Sequence, residues 1–222
     1  GSDSYVQNIG AQEEKIDVYA TLKASIEAAP TDGTLTTVSL AGNITDMTAQ
    51  QIITIKNGQN IMLDMNGYCI TVAPDFIGRP IKNNGTLTIT GNGKIDSSAS
   101  DLGGYGAIDN YGTLTIQNGT FTGSVNASGS SIKNRAGGIL TINGGTFNGA
   151  PTAVYNEGIA KIYNGHFECH SCSSCNHNSW GYTIQSHRND GGESPQLYFY
   201  DGTVIGVQGA FSSSAGYTEI HD

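Results

Sequence analysis

IKNNGTLTITGNGKI at residues 81–95 is followed by three variants of itself: IDNYGTLTIQNGTF at 108–121, IKNRAGGILTINGGTF at 132–147 and AVYNEGIAKIYNGHF at 153–167. A degraded fifth copy, TIQSHRNDGGESPQLYFYDGTV, occupies residues 183–204. Self-similarity with a period of about 22 to 30 residues is typical of a solenoid, in which each copy forms one coil.

Four rows of apolar residues recur at fixed places in these copies. The rows are Ile81, Ile108, Ile132, Val154 and Ile184; Leu87, Leu114, Leu140, Ala160 and Leu197; Ile89, Ile116, Ile142, Ile162 and Phe199; and Ile95, Phe121, Phe147, Phe167 and Val204. The second and third rows are two residues apart, which is the alternation of a β-strand with one buried side. A single such strand cannot bury that side, so the coils are expected to stack into a continuous core.

The turns repeat as well as the strands. An asparagine stands two residues after the first apolar row in four copies, at Asn83, Asn110, Asn134 and Asn156. We expect it to make the same backbone hydrogen bond in each coil. Asn-Gly or Asp-Gly pairs recur before the fourth apolar row, where glycine accepts a positive φ at low cost.

The pattern GTLTI followed by Asn-Gly and an aromatic residue resembles the right-handed parallel β-helix repeats of surface and adhesin-like proteins of Gram-positive bacteria, within the pectin-lyase-like superfamily. The resemblance covers residues 34–222. It implies an all-β, right-handed parallel β-helix in a secreted or surface-anchored bacterial protein. The same fold also carries polysaccharide lyases, polysaccharide hydrolases and phage tailspikes, so the fold alone implies no activity.

The chain is expected to form one elongated domain. Residues 1–15 read as a leader that starts with a Gly-Ser tag scar, and residues 16–222 as a single β-helix domain with regular repeats from about residue 81. Residues 17–29 predict a short capping helix, with Asp17 as N-cap and an apolar stripe of Val18, Leu22 and Ile26. We expect the helix to cover the N-terminal end of the solenoid, and the domain to be part of a longer protein.

Composition narrows the choice of partners. The formal net charge of −9 argues against a nucleic-acid partner. The sequence contains no apolar run of the length that a membrane span requires. We expect a monomer, or a trimer if the chain derives from a phage tail fibre.

Two outward columns of the predicted sheet carry charge. Lys82, Asp109 and Lys133 follow one another in the first column, and Glu157 stands between Arg135 and His187 in the second. Neighbours in a column are about 4.8 Å apart, so opposite charges can pair between coils. We interpret these columns as a ladder that fixes the register of the strands.

An aromatic cluster marks the C-terminal end of another outward face. Flat aromatic rings stack on sugar rings, and polar neighbours hold sugar hydroxyls, so the cluster predicts a binding surface for a glycan or a host protein. Its predicted residues are Lys161, Tyr163, Trp180, Tyr182, Tyr198 and Tyr200. Exposed aromatic residues are also good cross-strand partners, so a purely structural role stays open.

Cysteines and histidines are concentrated in one loop. Cys169, Cys172 and Cys175 with His177 have the composition of a Cys₃His zinc site. In an oxidising compartment two of these cysteines could instead form a disulfide, and a loop without either link is the third alternative. Alignment of the turns places Cys69 in the inward row of Ile95, as a buried thiol.

These observations favour a binding role over catalysis. The predicted function is an adhesin-like surface or secreted protein that binds the glycan of a polysaccharide or glycoprotein. One alternative is a polysaccharide lyase or hydrolase, which would need calcium on an outward face or carboxylates gathered by the loops, such as Glu168, Asp190 and Glu193. The other alternative is a passive stalk.

Overall fold

The computed structural model describes residues 17–100, 106–124, 129–170, 181–188, 192–214 and 216–221. It begins with helix α1, Val18–Ala28, and has a short 3₁₀ helix at Ala49–Gln51. The strands are β1 Leu35–Ser39, β2 Ile44–Met47, β3 Ile53–Ile55, β4 Asn60–Asp64, β5 Cys69–Val72, β6 Ile81–Asn83, β7 Thr86–Thr90, β8 Lys94–Asp96, β9 Ile108–Asn110, β10 Thr113–Ile116, β11 Thr120–Thr122, β12 Gly129–Asn134, β13 Ile139–Ile142, β14 Thr146–Gly149, β15 Pro151–Asn156, β16 Ile159–Ile162, β17 His166–Cys169, β18 Tyr182–Ser186, β19 Gln196–Phe199, β20 Thr203–Ile205, β21 Gly209–Ser213 and β22 Tyr217–Ile220.

The strands form three parallel sheets that run the length of the molecule. Sheet A has eight strands in the order β1-β4-β7-β10-β13-β16-β19-β22, and sheet B has seven in the order β2-β5-β8-β11-β14-β17-β20. Sheet C has seven strands in the order β21-β18-β15-β12-β9-β6-β3. Each strand pairs with the strand one coil before or after it, which is the arrangement of a parallel β-helix. The predicted all-β solenoid is confirmed.

The four predicted apolar rows line the interior. Leu87, Leu114 and Leu140 are register partners in sheet A, and Ile108 pairs with Ile132 in sheet C. These side chains are fully buried. In sheet B the rings of Phe121, Phe147 and Phe167 stack in sequence, with centroids 5.2 and 4.8 Å apart. The core is therefore a set of parallel columns in which like residues contact like residues.

The asparagine column forms a buried ladder at the turn from sheet C to sheet A. The Asn83 side chain donates to Asn110 Oδ1 over 2.8 Å, Asn110 to Asn134 Oδ1 over 2.7 Å, and Asn134 to Asn156 Oδ1 over 2.8 Å. Each side-chain nitrogen also reaches backbone carbonyl oxygens, as Asn134 does at Gly138 and Ile159. The predicted backbone bonds are present, and the side chains also bind one another.

Helix α1 covers the N-terminal end of the core, as the sequence predicts. Asp17 caps it by accepting a hydrogen bond from the Ala20 backbone nitrogen over 3.0 Å. Leu22 and Ile26 belong to the same buried cluster as the interior rows. The Gln59 side chain donates to the carbonyl oxygens of Ile26 and Ala29, and so satisfies acceptors at the end of the helix.

The prediction for Cys69 is wrong by one residue. Cys69 is half-buried and pairs in register with Lys94, while its neighbour Ile70 pairs with Ile95 in the inward row. Six residues separate Leu63 from Ile70, whereas five separate Ile89 from Ile95. The extra residue lies in a turn where Asn66 and Gly67 both have positive φ, and it shifts Cys69 to the outward side.

Within the described part of the chain, no helix is long and apolar enough to cross a membrane.

Candidate functional site

The C-terminal end of sheet A carries an outward group of five rings, which we call the aromatic strip. Register places Lys161, Tyr198 and Glu219 in one column, and Gln196 and Tyr217 in the next. A third column follows the ends of the strands, where the Tyr200 backbone nitrogen bonds to Ile162 and that of His221 to Phe199. The members of the aromatic strip are Tyr163, Tyr198, Tyr200, Tyr217 and His221.

The rings of the third column stack on one another. The centroids of Tyr163 and Tyr200 are 4.8 Å apart with the planes 6° from parallel, and those of Tyr200 and His221 are 4.6 Å apart at 15°. The spacing equals the distance between strands, so both faces of Tyr200 are covered by its neighbours. The accessible parts of Tyr200 are therefore its ring edge and its hydroxyl group, whereas Tyr163 is 44% exposed.

The tyrosines of the other two columns are tilted. The rings of Tyr198 and Tyr217 are 5.5 Å apart at 49°, and Tyr217 is 52% exposed, so it presents free aromatic surface. Its hydroxyl donates to Glu219 Oε2 over 2.6 Å, and the second oxygen of Glu219 is 2.8 Å from His221 Nε2. The hydrogen bond to Glu219 raises the pKa of Tyr217, as the phenolate would lose it. The strip thus combines rings with fixed acceptors.

Of the other predicted ligand-binding residues, one borders the strip, one is on another sheet and one lies outside the described structure. Lys161 is exposed and pairs in register with Tyr198, so it borders the strip. Tyr182 is on β18 in sheet C, where its ring covers Gly209. Trp180 lies outside the described residues. The structure brings together Lys161, Tyr163, Tyr198 and Tyr200, and it places Tyr182 on a different sheet.

The predicted zinc loop is described only at its first residue. Cys169 is a buried free thiol whose sulfur donates to the Gly181 carbonyl oxygen over 3.2 Å and accepts from the Val207 nitrogen over 3.5 Å. Cys172, Cys175 and His177 lie outside the described residues, so the zinc site stays a prediction beside the disulfide. Among the residues that the structure describes, no group of three or more His, Cys, Asp or Glu could hold a metal ion.

The predicted charge columns form a connected cluster on sheet C, here called the charged ladder: Lys82, Asp109, Lys133, Arg135 and Glu157. Register confirms the order Lys82, Asp109, Lys133. Arg135 binds both oxygens of Asp109, at 2.6 and 3.0 Å. Lys133 Nζ lies 3.4 Å from Glu157 Oε1. The charges therefore pair diagonally, between the two columns.

Burial and aromatic rings shape the electrostatics of the ladder. Burial lowers the pKa of Lys133, even though Glu157 acts against this shift. Burial also raises the pKa of Tyr155, over whose ring Lys133 Nζ lies 4.8 Å from the centroid. Among the described residues, Glu157 Oε2 has no hydrogen-bond partner, and it is inaccessible to solvent. The ladder contains one unsatisfied buried oxygen.

Several members of these surfaces were missed by sequence reasoning. Tyr217, Glu219 and His221 lie on or next to β22, the eighth strand of sheet A, in a segment without a recognisable copy of the repeat. Only their position after the fifth copy could have indicated them. Arg79 is buried and donates to the Ser130 carbonyl oxygen over 2.6 Å, 51 residues away; no local pattern signals such a contact.

Only some of the carboxylates proposed for catalysis belong to the described residues. Asp190 lies outside the described residues, and Glu168 is near His166 and His170, at 3.7 and 3.9 Å. In the register columns of the described strands, no two carboxylates are immediate neighbours.

Comparison of the chain with protein-family models, with curated proteins and with solved structures finds no match in any of the three. The fold defines the class of protein as a parallel β-solenoid. The aromatic strip and the charged ladder are the two surfaces that bear on its function.

Proposed function

We propose that this β-solenoid is a glycan-binding protein of the bacterial surface or the extracellular medium, with an adhesin-like role. The observation that carries the proposal is the aromatic strip, in which five rings and fixed polar groups occupy three neighbouring outward columns. The partner would be the glycan of a polysaccharide or glycoprotein, bound by a monomer.

The geometry supports a particular mode of contact. The exposed rings of Tyr217 and Tyr163 offer apolar surface for the C–H face of a sugar. The stacked rings of Tyr163 and Tyr200 offer hydroxyl groups at their edges, with Lys161 alongside. Tyrosine gives large contact area at low entropic cost because only two side-chain torsions must be fixed.

The ordered packing of the strip favours binding over an incidental role. Tyr198 donates to Gln196 Oε1 over 3.0 Å, and Tyr217 is held by Glu219, so both rings are oriented before a ligand arrives. Preorganised groups lose less entropy on binding. A rigid sheet is also a better platform for such groups than a loop.

The proposal is tested with an array of plant, bacterial and mucin glycans, followed by titration of the best ligand. Tyr217→Ala and Tyr200→Ala should each weaken binding by about tenfold or more, as expected for central aromatic anchors. Ile77→Ala removes a similarly exposed apolar side chain, 51% exposed against 52% for Tyr217, from another part of the solenoid and serves as the control. An array without any bound glycan, or equal losses in all three variants, would refute the proposal.

A further inference from the structure

A groove runs along the corner between sheets C and A at the N-terminal half of the solenoid. It encloses about 600 Å³ and is lined by the amides of Asn57, Asn60 and Asn84, with Tyr111 at one end. Asp32 lies at the groove too, and its carboxylate accepts a hydrogen bond from the Thr34 nitrogen. Amide side chains and a concave shape suit a ligand with many hydroxyl groups.

Cations collect at the Tyr111 end of this groove. Lys82 Nζ lies 5.1 Å and Arg135 Cζ 5.4 Å from the centroid of the Tyr111 ring. With Arg79 and Lys133, four of the ten lysines and arginines of the chain surround the carboxylates of Asp109 and Glu157 in the described structure. This local excess of positive charge stands on a chain with a net charge of −9, so the ladder favours an anionic group on its ligand.

Within the described structure, the ladder leaves one oxygen of the Glu157 carboxylate without a hydrogen-bond partner. Its side chain is 2% exposed, and Oε1 faces Lys133, but Oε2 has no hydrogen-bond partner in the described structure. A ladder that served only to fix register would leave no buried oxygen unpaired, since such a group costs free energy. A hydroxyl group from a ligand would satisfy Oε2, and the surrounding cations disfavour a ligand ammonium group.

We propose that the groove and the charged ladder form one binding site for an acidic glycan, a sugar chain that carries carboxylate or sulfate groups. Its anionic substituents contact Lys82 and Arg135, and its hydroxyl groups contact the groove amides. Tyr111 and Glu157 are two strands apart, on the order of 10 Å, which is the span of about two sugar units. Contact with Glu157 Oε2 requires a movement of the side chains that cover it, because this atom is inaccessible to solvent.

This site is separate from the aromatic strip, so an experiment can refute either of the two proposed sites without refuting the other. Hyaluronan oligosaccharides supply carboxylates, dextran sulfate supplies sulfates, and neutral dextran lacks both. We expect at least one of the two acidic probes to bind the full chain while dextran does not, with affinity that falls as salt is raised. The stronger acidic probe identifies the substituent.

Four variants test where the acidic probe binds. Lys82→Gln and Tyr111→Ala should each weaken the acidic probe by about fivefold or more, and both side chains are exposed enough to be replaced without loss of the fold. Lys23→Gln makes the same change of charge on exposed helix α1 and should leave affinity unchanged. Tyr200→Ala should also leave it unchanged.

Glu157→Gln keeps the shape of the side chain and should change affinity by about threefold or more. Thermal unfolding of each variant checks that the fold persists. The proposal is overturned if neither acidic probe binds at millimolar concentration, if dextran binds as tightly as they do, if Lys82→Gln loses no more than Lys23→Gln, or if Tyr200→Ala abolishes binding of the acidic probe.

Discussion

At the scale of single residues, the interior of this protein depends on polar groups as well as apolar ones. Asn134 donates to Asn156, Gly138 and Ile159 and accepts from Asn110, all at the buried turn. Removing Asn134 takes a donor from acceptors of its own coil and of the following coil, and it takes an acceptor from Asn110 of the preceding coil. Repetition of Asn in the sequence predicts this position, but not that the side chains bind each other.

We therefore expect Asn134→Ala to lower the free energy of unfolding by about 1–3 kcal/mol, because buried polar groups lose their partners. The exposed Asn57 is the matched control, and Asn57→Ala should change it by less than about 0.5 kcal/mol. Denaturant unfolding measures both. Equal effects of the two substitutions would show that the ladder does not stabilise the fold.

Asp96 supplies a pH-dependent contribution to stability. Burial acts to raise the pKa of this carboxyl, but hydrogen bonds from Lys94 and Ser98 outweigh burial and hold the pKa below its ordinary value of 3.8. The folded state therefore favours the ionised form. The stabilisation is fully present above the unfolded-state pKa and is lost as the pH falls through the folded-state pKa.

Asp96→Asn should accordingly reduce stability near neutral pH, and its difference from the wild type should shrink below about pH 4. Unfolding curves recorded between pH 2 and 7 test this expectation. A difference that stays constant across this range would contradict the assigned role of the carboxylate.

At the scale of elements, the repeat predicts most of the fold. The inward rows, the turns and the parallel register follow from residues that recur in each coil. The register error at Cys69 came from one added residue in an early turn, where no regular copy fixes the alignment. The long-range contact of Arg79 with Ser130 depends on the paths of the loops between coils, which the local pattern does not contain.

Part of the aromatic strip could be predicted from the sequence, because its residues lie in aligned copies of the repeat. Tyr163, Tyr198 and Tyr200 fall in copies that align, so their shared face could be read from the sequence. Tyr217 and His221 lie in a coil whose sequence lacks the repeat pattern, so they could not be predicted in this way. The stacking of Tyr163 on Tyr200 is set by side-chain torsions, so the sequence predicted available ring faces where the structure presents edges.

Helix α1 should act as a cap whose loss exposes the first coil. Ile26→Ala removes a side chain that is 2% exposed and should cost about 2–5 kcal/mol of local stability. Amide exchange should then accelerate in β1 and β4 more than in β19. Glu27→Ala, on the exposed side of the helix, should leave exchange unchanged; a uniform acceleration along the solenoid after Ile26→Ala would contradict a local cap.

At the scale of the whole molecule, stability is a sum over neighbouring coils. Phe147 stacks between Phe121 and Phe167 in the middle of sheet B, whereas Val204 is only partly buried on the last strand of that sheet. Phe147→Ala should cost about 3–5 kcal/mol, and Val204→Ala about 1 kcal/mol. Thermal unfolding tests the contrast, and similar losses would mean that the ends of the solenoid are as tightly packed as its centre.

Two outer surfaces of the solenoid carry the proposed binding sites. Sheet A ends in the aromatic strip, and sheet C carries the charged ladder with the groove at its corner. Regular coils hold both surfaces in fixed register over several strands, which suits an extended chain of sugars better than a small compact ligand. The glycan-binding proposal therefore draws on the architecture as well as on individual tyrosines.

The most direct test of glycan binding at the aromatic strip is NMR mapping of the aromatic and histidine ring resonances, with and without the glycan selected from the array. The account predicts that the largest shifts occur at Tyr163, Tyr200, Tyr217 and His221, and that the phenylalanines of sheet B stay unchanged. Saturating binding with no change at these four rings would contradict it.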